Sequence, residues 1–214
     1  MTRKLVSVVT GTYQRHDLLM EAIENVRAQT YRPLEHVIVS DGPDPKLDVL
    51  VNRSRNADWE ANGSERCVSI VYAELGFWAS GLLTNSISAA PFMVAQLLAH
   101  GDLQMWLADD ERMLVPDHIE KLVGMIEDYD LDFAYPKVKM TWPDSERTDV
   151  IGTSPPQNGQ FTHCLYRRDA LDRGALFRTH VGSGTDWDCA ARMMDSRCRW
   201  GFLREVTLSH VVDK

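Results

Sequence analysis

The chain has 214 residues, of which 44% are apolar, and this is enough to bury one continuous core and predicts a single domain. Its formal net charge of -8 argues against a general nucleic-acid binder, because neutralising phosphates requires a basic surface. The sequence has no apolar run of about 20 residues and no secretory signal, so we expect a cytoplasmic protein without a membrane span.

The four cysteines favour neither a metal site nor a disulfide framework. They are too widely spaced for a Cys-x-x-Cys zinc site and too few for a disulfide-rich scaffold. We expect them to be reduced and mostly buried, at Cys67, Cys164, Cys189 and Cys198.

The first half of the chain alternates buried strands with amphipathic segments. The β-branched run at residues 5–10 predicts a strand, and a helix capped by Asp17 follows to about Gln29. A second strand in HVIVSDGPDP, a helix at 45–52 and a strand at 68–74 come next. Three strands joined by helical crossovers predict a parallel sheet.

The second half continues the alternation with more polar connections. A helix is predicted at 82–100 despite its proline, and a second helix has Pro116 in its first turn. The Pro- and Gly-rich stretch at 142–160 reads as a long surface loop. The remaining elements are strands at QMWLA, DFAYPKVKM, FTHCLYR and FLREVTLSH, a short helix at 168–175 and a helix after Asp186.

Polar side chains follow three of the predicted strands, at Thr10 to Tyr13, at Asp41 and at Asp109 to Glu111. Ligands of open α/β sheets gather outside the carboxyl ends of the strands, so this convergence predicts a binding site. Three adjacent acids ionise together in a cleft at lower cost if a cation compensates them, and carboxylates suit Mg²⁺ or Mn²⁺.

Each of these acidic positions also has a purely structural interpretation. The triplet at 109–111 can be a solvated loop or helix cap, and Asp41 lies in an Asp-Gly-Pro turn sequence. Asp186 can be an ordinary helix cap after a glycine-rich loop, and His210 can be a structural histidine at the end of a strand.

Several motifs in sequence order resemble the GT-A glycosyltransferases, and in particular glycosyltransferase family 2. The segments are VSVVTGTYQR, RAQTY, VIVSDG, LADDERMLVPDHIEKL, FTHCLYRRDAL and TDWDCAARM. The resemblance implies an α/β GT-A fold with a mostly parallel central sheet flanked by helices. It implies one domain over residues 1–214, with a nucleotide-binding half at about 1–112 and an acceptor-binding, catalytic half at about 113–214.

Matching the motifs position by position assigns the donor site. The resemblance implies that Thr10, Thr12 and Tyr13 line the nucleotide pocket. It implies that Asp41 accepts hydrogen bonds from a uracil or thymine base. Asp109 is then expected to face the ribose and the surroundings of the metal.

The same resemblance assigns the metal and the base. It implies that Asp110 binds the metal directly and that His210 is a late metal-binding histidine. Glu111 occupies a position that varies in the family, so the resemblance leaves open whether it is a direct ligand. Asp186 matches the general base of the family.

The sequence departs from the family pattern at three places. No Lys or Arg occurs from Cys67 to Glu111, where members of the family often carry a diphosphate-binding arginine. The metal or a residue such as Asn85 must therefore bind the diphosphate instead. Thr185 replaces the acid that usually precedes the base, and Gln14 replaces the usual asparagine of the first loop.

Together the motifs imply an inverting glycosyltransferase that uses Mn²⁺ or Mg²⁺. The donor is expected to be a UDP- or dTDP-linked sugar and the acceptor an unidentified hydroxyl compound. Two other functions remain open at this stage: a non-catalytic module that binds a sugar nucleotide or a partner, and a nucleotidyltransferase. The first loop, GTYQRHD, matches the Gly-rich, basic loop of nucleotidyltransferases poorly.

Overall fold

A computed structural model describes residues 3–66, 68–76, 89–142, 145, 147–154, 163–181 and 184–211. Within residues 57–66 it describes the backbone alone. The predicted strand at 161–167 and helix at 82–100 therefore fall partly outside the described residues, and Asn85 lies outside them altogether.

The first part of the sheet is parallel. Its central strand β1 pairs with β2 on one side and with β4 on the other, and β2 pairs with β3. The elements are β1 (Val6–Thr12), α1 (His16–Arg27), β2 (Leu34–Ser40), α2 (Pro45–Arg66), β3 (Ser69–Glu74), α3 (Ala89–Leu98) and β4 (Leu103–Trp106).

The second part of the chain extends the same sheet with strands of both directions. Its elements are β5 (Glu111–Met113), α4 (His118–Asp128), β6 (Phe133–Trp142), β7 (Arg147–Ile151), β8 (Leu165–Arg167), a 3₁₀ helix (Arg168–Arg173), α5 (Thr185–Asp195) and β9 (Trp200–Val211). Across the described residues the strand order is β3-β2-β1-β4-β8-β6-β9-β5, with β7 beside β6. The predicted α/β class with helices flanking the sheet is confirmed.

The two faces of the sheet bury alternate residues of the same strands. On one face Val9 and Trp106 pack with Phe92 of α3. On the other face Val8 and Met105 belong to a cluster that includes the apolar side of α4. This double burial explains why β1, β2 and β4 are rich in apolar residues without a strict alternation of apolar and polar positions.

Helix boundaries differ from the predicted ones at several points. Helix α1 begins at His16 with Arg15 as its N-cap, so the prediction that Asp17 caps it is wrong; Asp17 lies inside the first turn. Helix α2 runs to Arg66, well beyond the predicted end at residue 52. The short helix at 168–175 is a 3₁₀ helix that ends at Arg173.

The stretch predicted as a loop at 142–160 contains a strand, so that prediction is wrong for its first part. Residues 147–151 pair antiparallel with residues 138–142 of β6. The strand lies at the side of the sheet, is mostly exposed, and therefore lacks the apolar alternation by which strands are recognised in sequence. Backbone pairing and the stacking of Arg147 on Trp142 hold it instead.

Two compositional expectations have structural counterparts. The three cysteines in the described part of the chain, Cys164, Cys189 and Cys198, are buried and unbridged, and Cys67 lies outside that part. Among the described helices, none combines the length and apolarity needed to cross a bilayer.

The buried His36 makes stability depend on pH. The Thr10 hydroxyl donates to the Leu107 carbonyl at 2.8 Å and so accepts from Nε2–H of His36 at 2.9 Å. The other ring nitrogen, Nδ1, is buried without a hydrogen-bond partner among the described residues, so protonation has no acceptor there. Burial, assisted by the charge of Arg27, lowers the pKa of His36 to about 3.

We predict that His36 costs stability as the pH falls. Above the unfolded-state pKa of about 6.5 the histidine is neutral in both states, whereas below it only the unfolded chain takes up the proton. Relative to His36→Leu, the wild-type free energy of unfolding should fall by about 1.4 kcal/mol per pH unit below about pH 6. Urea unfolding of both proteins at pH 8, 6 and 5 measures this, and parallel pH curves would contradict it.

Candidate functional site

The carboxyl ends of β1, β2 and β4 meet at one edge of the sheet, as the parallel pairing requires. The backbone N–H of Asp41 donates to the carbonyl of Thr12 at 2.8 Å. The Thr12 hydroxyl donates to Oδ2 of Asp109 at 2.7 Å. The structure therefore brings together three strand ends whose polar residues are predicted to form a site.

Thr10 in β1 and Tyr13 just after β1 differ in their accessibility to a ligand. Thr10 is fully buried, and its hydroxyl is engaged by His36 and Leu107 inside the sheet. Tyr13 is partly exposed, and its hydroxyl accepts a hydrogen bond from the Gln14 amide at 3.1 Å. Tyr13 thus has a surface that a ligand can contact, whereas Thr10 supports the edge from within.

Arg15 binds the first two acids of the triplet. Its Nη1 lies 2.8 Å from Oδ1 of Asp109 and 3.0 Å from Oδ2 of Asp110, and its Nη2 lies 3.0 Å from the same Oδ2. Both carboxylates are largely shielded, with 3% and 15% of their side chains exposed. The other oxygen of Asp110, Oδ1, is buried and has no hydrogen-bond partner among the described residues.

Glu111, the third acid, lies between two histidines. Its Oε2 is 2.9 Å from Nδ1 of His163, and its Oε1 is 3.2 Å from Nδ1 of His210. Ligand atoms of the three residues all lie within 4.8 Å of one another. Oδ1 of Asp110 lies 3.9 Å from Nδ1 of His210, at the side of this cluster.

Strand pairing explains why these residues meet. Strand β5 runs antiparallel to β9, and Glu111 and His210 are directly opposite partners, which places their side chains on the same face. Strand β8 runs antiparallel to β4 with Leu165 opposite Met105, so the residues before Leu165 lie beside the carboxyl end of β4. His163 reaches the acids for this reason.

The electrostatics of the cluster follow from its burial and its histidines. Burial alone would raise the pKa of Glu111, but His163 and His210 lower it to about 2. Burial would lower the pKa of His210, but the hydrogen bond and charge of Glu111 raise it. The cluster therefore favours an ionised Glu111 beside a His210 that is more readily protonated than a free histidine. A bound cation could compensate the Glu111 charge in place of that proton.

Asp109 titrates differently from Glu111. Burial raises the pKa of Asp109 to about 6, although the Thr12 hydroxyl and the Arg15 charge lower it. Adjacent acids thus have pKa values pushed apart by their surroundings, a common feature of functional sites.

Asp186 is the second residue of α5 and not its cap, because Gly184 occupies the N-cap position with φ 88°. Burial raises the pKa of Asp186; His163 lowers it and Glu111 raises it. Its carboxylate therefore lies within electrostatic range of the cluster, on an element from the second half of the chain. Neighbouring Asp188 is tied to Arg192 of the same helix at 2.7 Å.

The donor set fits a divalent transition metal. One carboxylate and two imidazoles are suited to such ions, and the unpartnered Oδ1 of Asp110 offers a further oxygen at the side of the cluster. Mg²⁺ prefers an all-oxygen octahedral shell, which the imidazoles do not provide.

His163 is the residue that sequence reasoning missed. The sequence FTHCLYR predicts a strand but not its direction, and the site histidine becomes apparent only when β8 is seen to run antiparallel to β4. The sequence left the role of Glu111 open, and in the structure its carboxylate faces both histidines.

The fold is shared with solved glycosyltransferases. Mannosyltransferase PcManGT from Pyrobaculum calidifontis, in complex with GDP-Man and Mn²⁺, superposes on 100% of the chain and 58% of its own length, with a TM-score of 0.75 and 18% identity. S. aureus TarS residues 1–349, in complex with UDP-GlcNAc, covers 98% and 59% with a TM-score of 0.73 and 16% identity. The chain therefore has the GT-A fold.

Two curated relatives carry the comparison to the level of sequence. YwdF, an uncharacterized glycosyltransferase of Bacillus subtilis, is 28% identical over 86% of the chain. The glucosyl-dolichyl phosphate glucuronosyltransferase of Haloferax volcanii is 32% identical over 57% of it. No protein-family model matches the sequence. The chain is thus a GT-A-fold relative of glycosyltransferases that spans 65% and 34% of the length of these two proteins.

Gln14 adopts a backbone conformation that favours other residues. Its φ is 54°, in the left-handed region, where asparagine is better tolerated and glycine is unstrained. The left-handed backbone is consistent with the asparagine that the family pattern has at this position. Glutamine there lowers the stability of the fold.

We predict that Gln14→Gly stabilises the protein. Removing the Cβ relieves about 1 kcal/mol of backbone strain, which corresponds to a rise of about 2–4 °C in the thermal midpoint for a chain of this size. Gln14→Ala, which also loses the hydrogen bond to Tyr13 but keeps the Cβ, serves as control and should give no rise. Equal midpoints for Gly and Ala would contradict the strain argument.

Proposed function

We propose that the chain is the catalytic domain of a metal-dependent, inverting glycosyltransferase that moves one sugar from a nucleoside-diphosphate sugar to an acceptor hydroxyl. The single observation that carries the proposal is the cluster of Asp109, Asp110, Glu111 and two histidines at the carboxyl edge of a GT-A fold. The relationship to named glycosyltransferases supports it.

The donor side is assigned to the first half of the chain, about residues 1–112. Thr12 and Asp41 are joined at the strand ends, and Tyr13 presents a partly exposed ring beside them. A buried carboxylate such as Asp41 can accept the ring N–H of a uracil or thymine base, which favours a UDP- or dTDP-linked donor. The solved neighbours bind GDP-Man in one case and UDP-GlcNAc in the other, so they support a nucleotide sugar without selecting its base.

The metal is assigned to Glu111, His163 and His210, with Oδ1 of Asp110 as an additional oxygen. A divalent ion bound there would neutralise the negative charge that develops on the departing nucleoside diphosphate. This assignment keeps Asp110 and His210 as predicted and brings Glu111 into the ligand set. Two imidazoles in the ligand set disfavour Mg²⁺, and the Mn²⁺ bound in the structural neighbour PcManGT supports Mn²⁺ as the first ion to test.

Asp186 is the proposed general base, in the acceptor half at about residues 113–214. Burial raises the pKa of its carboxyl, and this makes the carboxylate a better proton acceptor than an exposed aspartate. It would take the proton of the acceptor hydroxyl as that oxygen attacks the anomeric carbon from the side opposite the diphosphate.

A non-catalytic module that binds a sugar nucleotide is the alternative that the missing basic residues at 67–111 still favour. It would retain the metal and nucleotide site but would not need a proton acceptor at Asp186. Turnover that depends on Asp186 therefore separates the two functions.

We predict that His163→Asn weakens Mn²⁺ binding by about tenfold or more, the loss expected when a metal site loses a partner. His210→Asn should act in the same direction. His118→Asn is the matched control, because His118 is equally buried but is hydrogen-bonded to Thr207 at 2.8 Å outside the cluster. Mn²⁺ titration followed by electron paramagnetic resonance measures the affinities, and an unchanged affinity in His163→Asn would remove His163 from the site.

We predict that Asp186→Asn reduces sugar transfer or donor hydrolysis by at least about 10²-fold while leaving Mn²⁺-dependent nucleotide binding intact. Asp188→Asn, one half-turn away and paired with Arg192, controls for damage to helix α5. Thermal shifts with UDP-, dTDP- and GDP-sugars, with and without Mn²⁺, identify the donor, and radiolabelled donor then measures turnover. Full turnover by Asp186→Asn would exclude it as the base.

A further inference from the structure

The guanidinium of Arg15 binds Asp109 and Asp110, two carboxylates that the proposed function assigns to the donor and metal site. Its two terminal nitrogens make three hydrogen bonds to Asp109 and Asp110, all between 2.8 and 3.0 Å. Such charge-assisted contacts are among the stronger hydrogen bonds in proteins. Arg15 therefore partly neutralises Asp109 and Asp110 before any ligand binds.

Asp110 lies between Arg15 and His210. Its Oδ2 accepts both contacts from Arg15, while its Oδ1 points to the side where His210 lies, at 3.9 Å. A divalent ion held by Glu111, His163 and His210 would share Asp110 with the guanidinium. Two cations that use one carboxylate a few ångströms apart repel each other, so metal binding must weaken the hold of Arg15.

Arg15 is also the most exposed member of this group. Its side chain is 36% exposed, compared with 3% for Asp109 and 15% for Asp110. It starts from the N-cap of α1, immediately after the loop that carries Tyr13, so it lies beside the proposed nucleotide pocket. A long side chain at such a position can turn toward a ligand without disturbing the buried acids.

The sequence leaves a positive charge to be supplied near the diphosphate. No Lys or Arg occurs from Cys67 to Glu111, the stretch that leads into the acidic triplet. Arg112, the first arginine after this stretch, has other partners: it donates hydrogen bonds to the carbonyls of Asp109 and Glu111 and to the carboxylate of Glu21.

The geometry points to Arg15 as a cation that changes partners: it neutralises Asp109 and Asp110 in the metal-free protein and moves to the donor diphosphate when the metal binds. This inference rests on the proposed function. Arg15 is a binding and positioning residue here, and it need not take part in any proton transfer.

The exchange predicts effects of opposite sign on two ligands. Without donor, Arg15 competes with the metal for Asp110 and lowers metal affinity. With donor, the guanidinium gains the diphosphate as a partner, so it raises nucleotide affinity. Arg15 thus couples the two sites, and its removal should reduce the factor by which metal and nucleotide strengthen each other's binding.

The test is a pair of titrations on wild type, Arg15→Met and Arg15→Gln. Mn²⁺ alone is titrated first, and then whichever of UDP, dTDP and GDP binds the wild type is titrated at saturating Mn²⁺. We expect Arg15→Met to bind Mn²⁺ alone about fivefold more tightly and to bind the nucleotide about tenfold more weakly, within the usual range of coupling between sites. Arg15→Gln should change both affinities in the same directions by smaller factors.

Arg3→Met is the matched control. It removes an arginine from an exposed ion pair with Glu120 and changes the net charge by the same amount, so it should leave both affinities unchanged. Circular dichroism of the metal-free proteins checks folding, and Arg15→Gln replaces Arg15→Met if the latter does not fold.

The outcomes separate the two proposals. Weaker binding of both ligands in the Arg15 variants would show a merely structural role and overturn the exchange, and so would unchanged binding of either ligand. Failure of wild type to bind any of the three nucleoside diphosphates with Mn²⁺ would instead overturn the proposed function. Tighter Mn²⁺ binding combined with weaker nucleotide binding supports the exchange.

Discussion

The concentration of negative charge at one edge of the sheet is the constraint around which this structure is arranged. Three consecutive acids follow β4, and each is compensated in a different way. Asp109 is held by Thr12 and Arg15, Asp110 by Arg15, and Glu111 by two histidines. Burial of a charge is costly unless it is paired, so these partners stabilise the folded state.

The fold supplies those partners by joining strands of both directions in one sheet. The parallel strands β1, β2 and β4 bring their carboxyl ends to a common edge, where Thr12, Asp41 and Asp109 meet. Strand β8 runs in the opposite direction, so His163, just before it, lies at the same edge. Strand β9 runs parallel to β6 and therefore to β4, and it carries His210 near its carboxyl end. A site with acids from one half of the chain and imidazoles from the other follows from this mixture.

Much of the parallel half could be predicted from the sequence, because doubly buried strands are rich in apolar residues. The acids could be predicted as strand-end residues because they directly follow these strands. The partners of those acids could not, since His163 becomes a neighbour of Glu111 only through the direction of β8, which local sequence does not encode. The exposed strand β7 could not be predicted because it lacks apolar alternation. The contacts of Arg15 could not be predicted because they join residues about 95 positions apart in the sequence. The functions of these residues remain proposals.

The direct pairing of Glu111 with His210 has a consequence for how the protein folds. The two residues come from distant parts of the chain, and β9 must add to β5 before they are neighbours. Non-local strand pairing of this kind is slow to form, and the cluster is complete only once β9 has joined the sheet. An ion that binds only the completed cluster would bind the native state and not the unfolded chain. Its binding would therefore stabilise the pairing of β9 with β5.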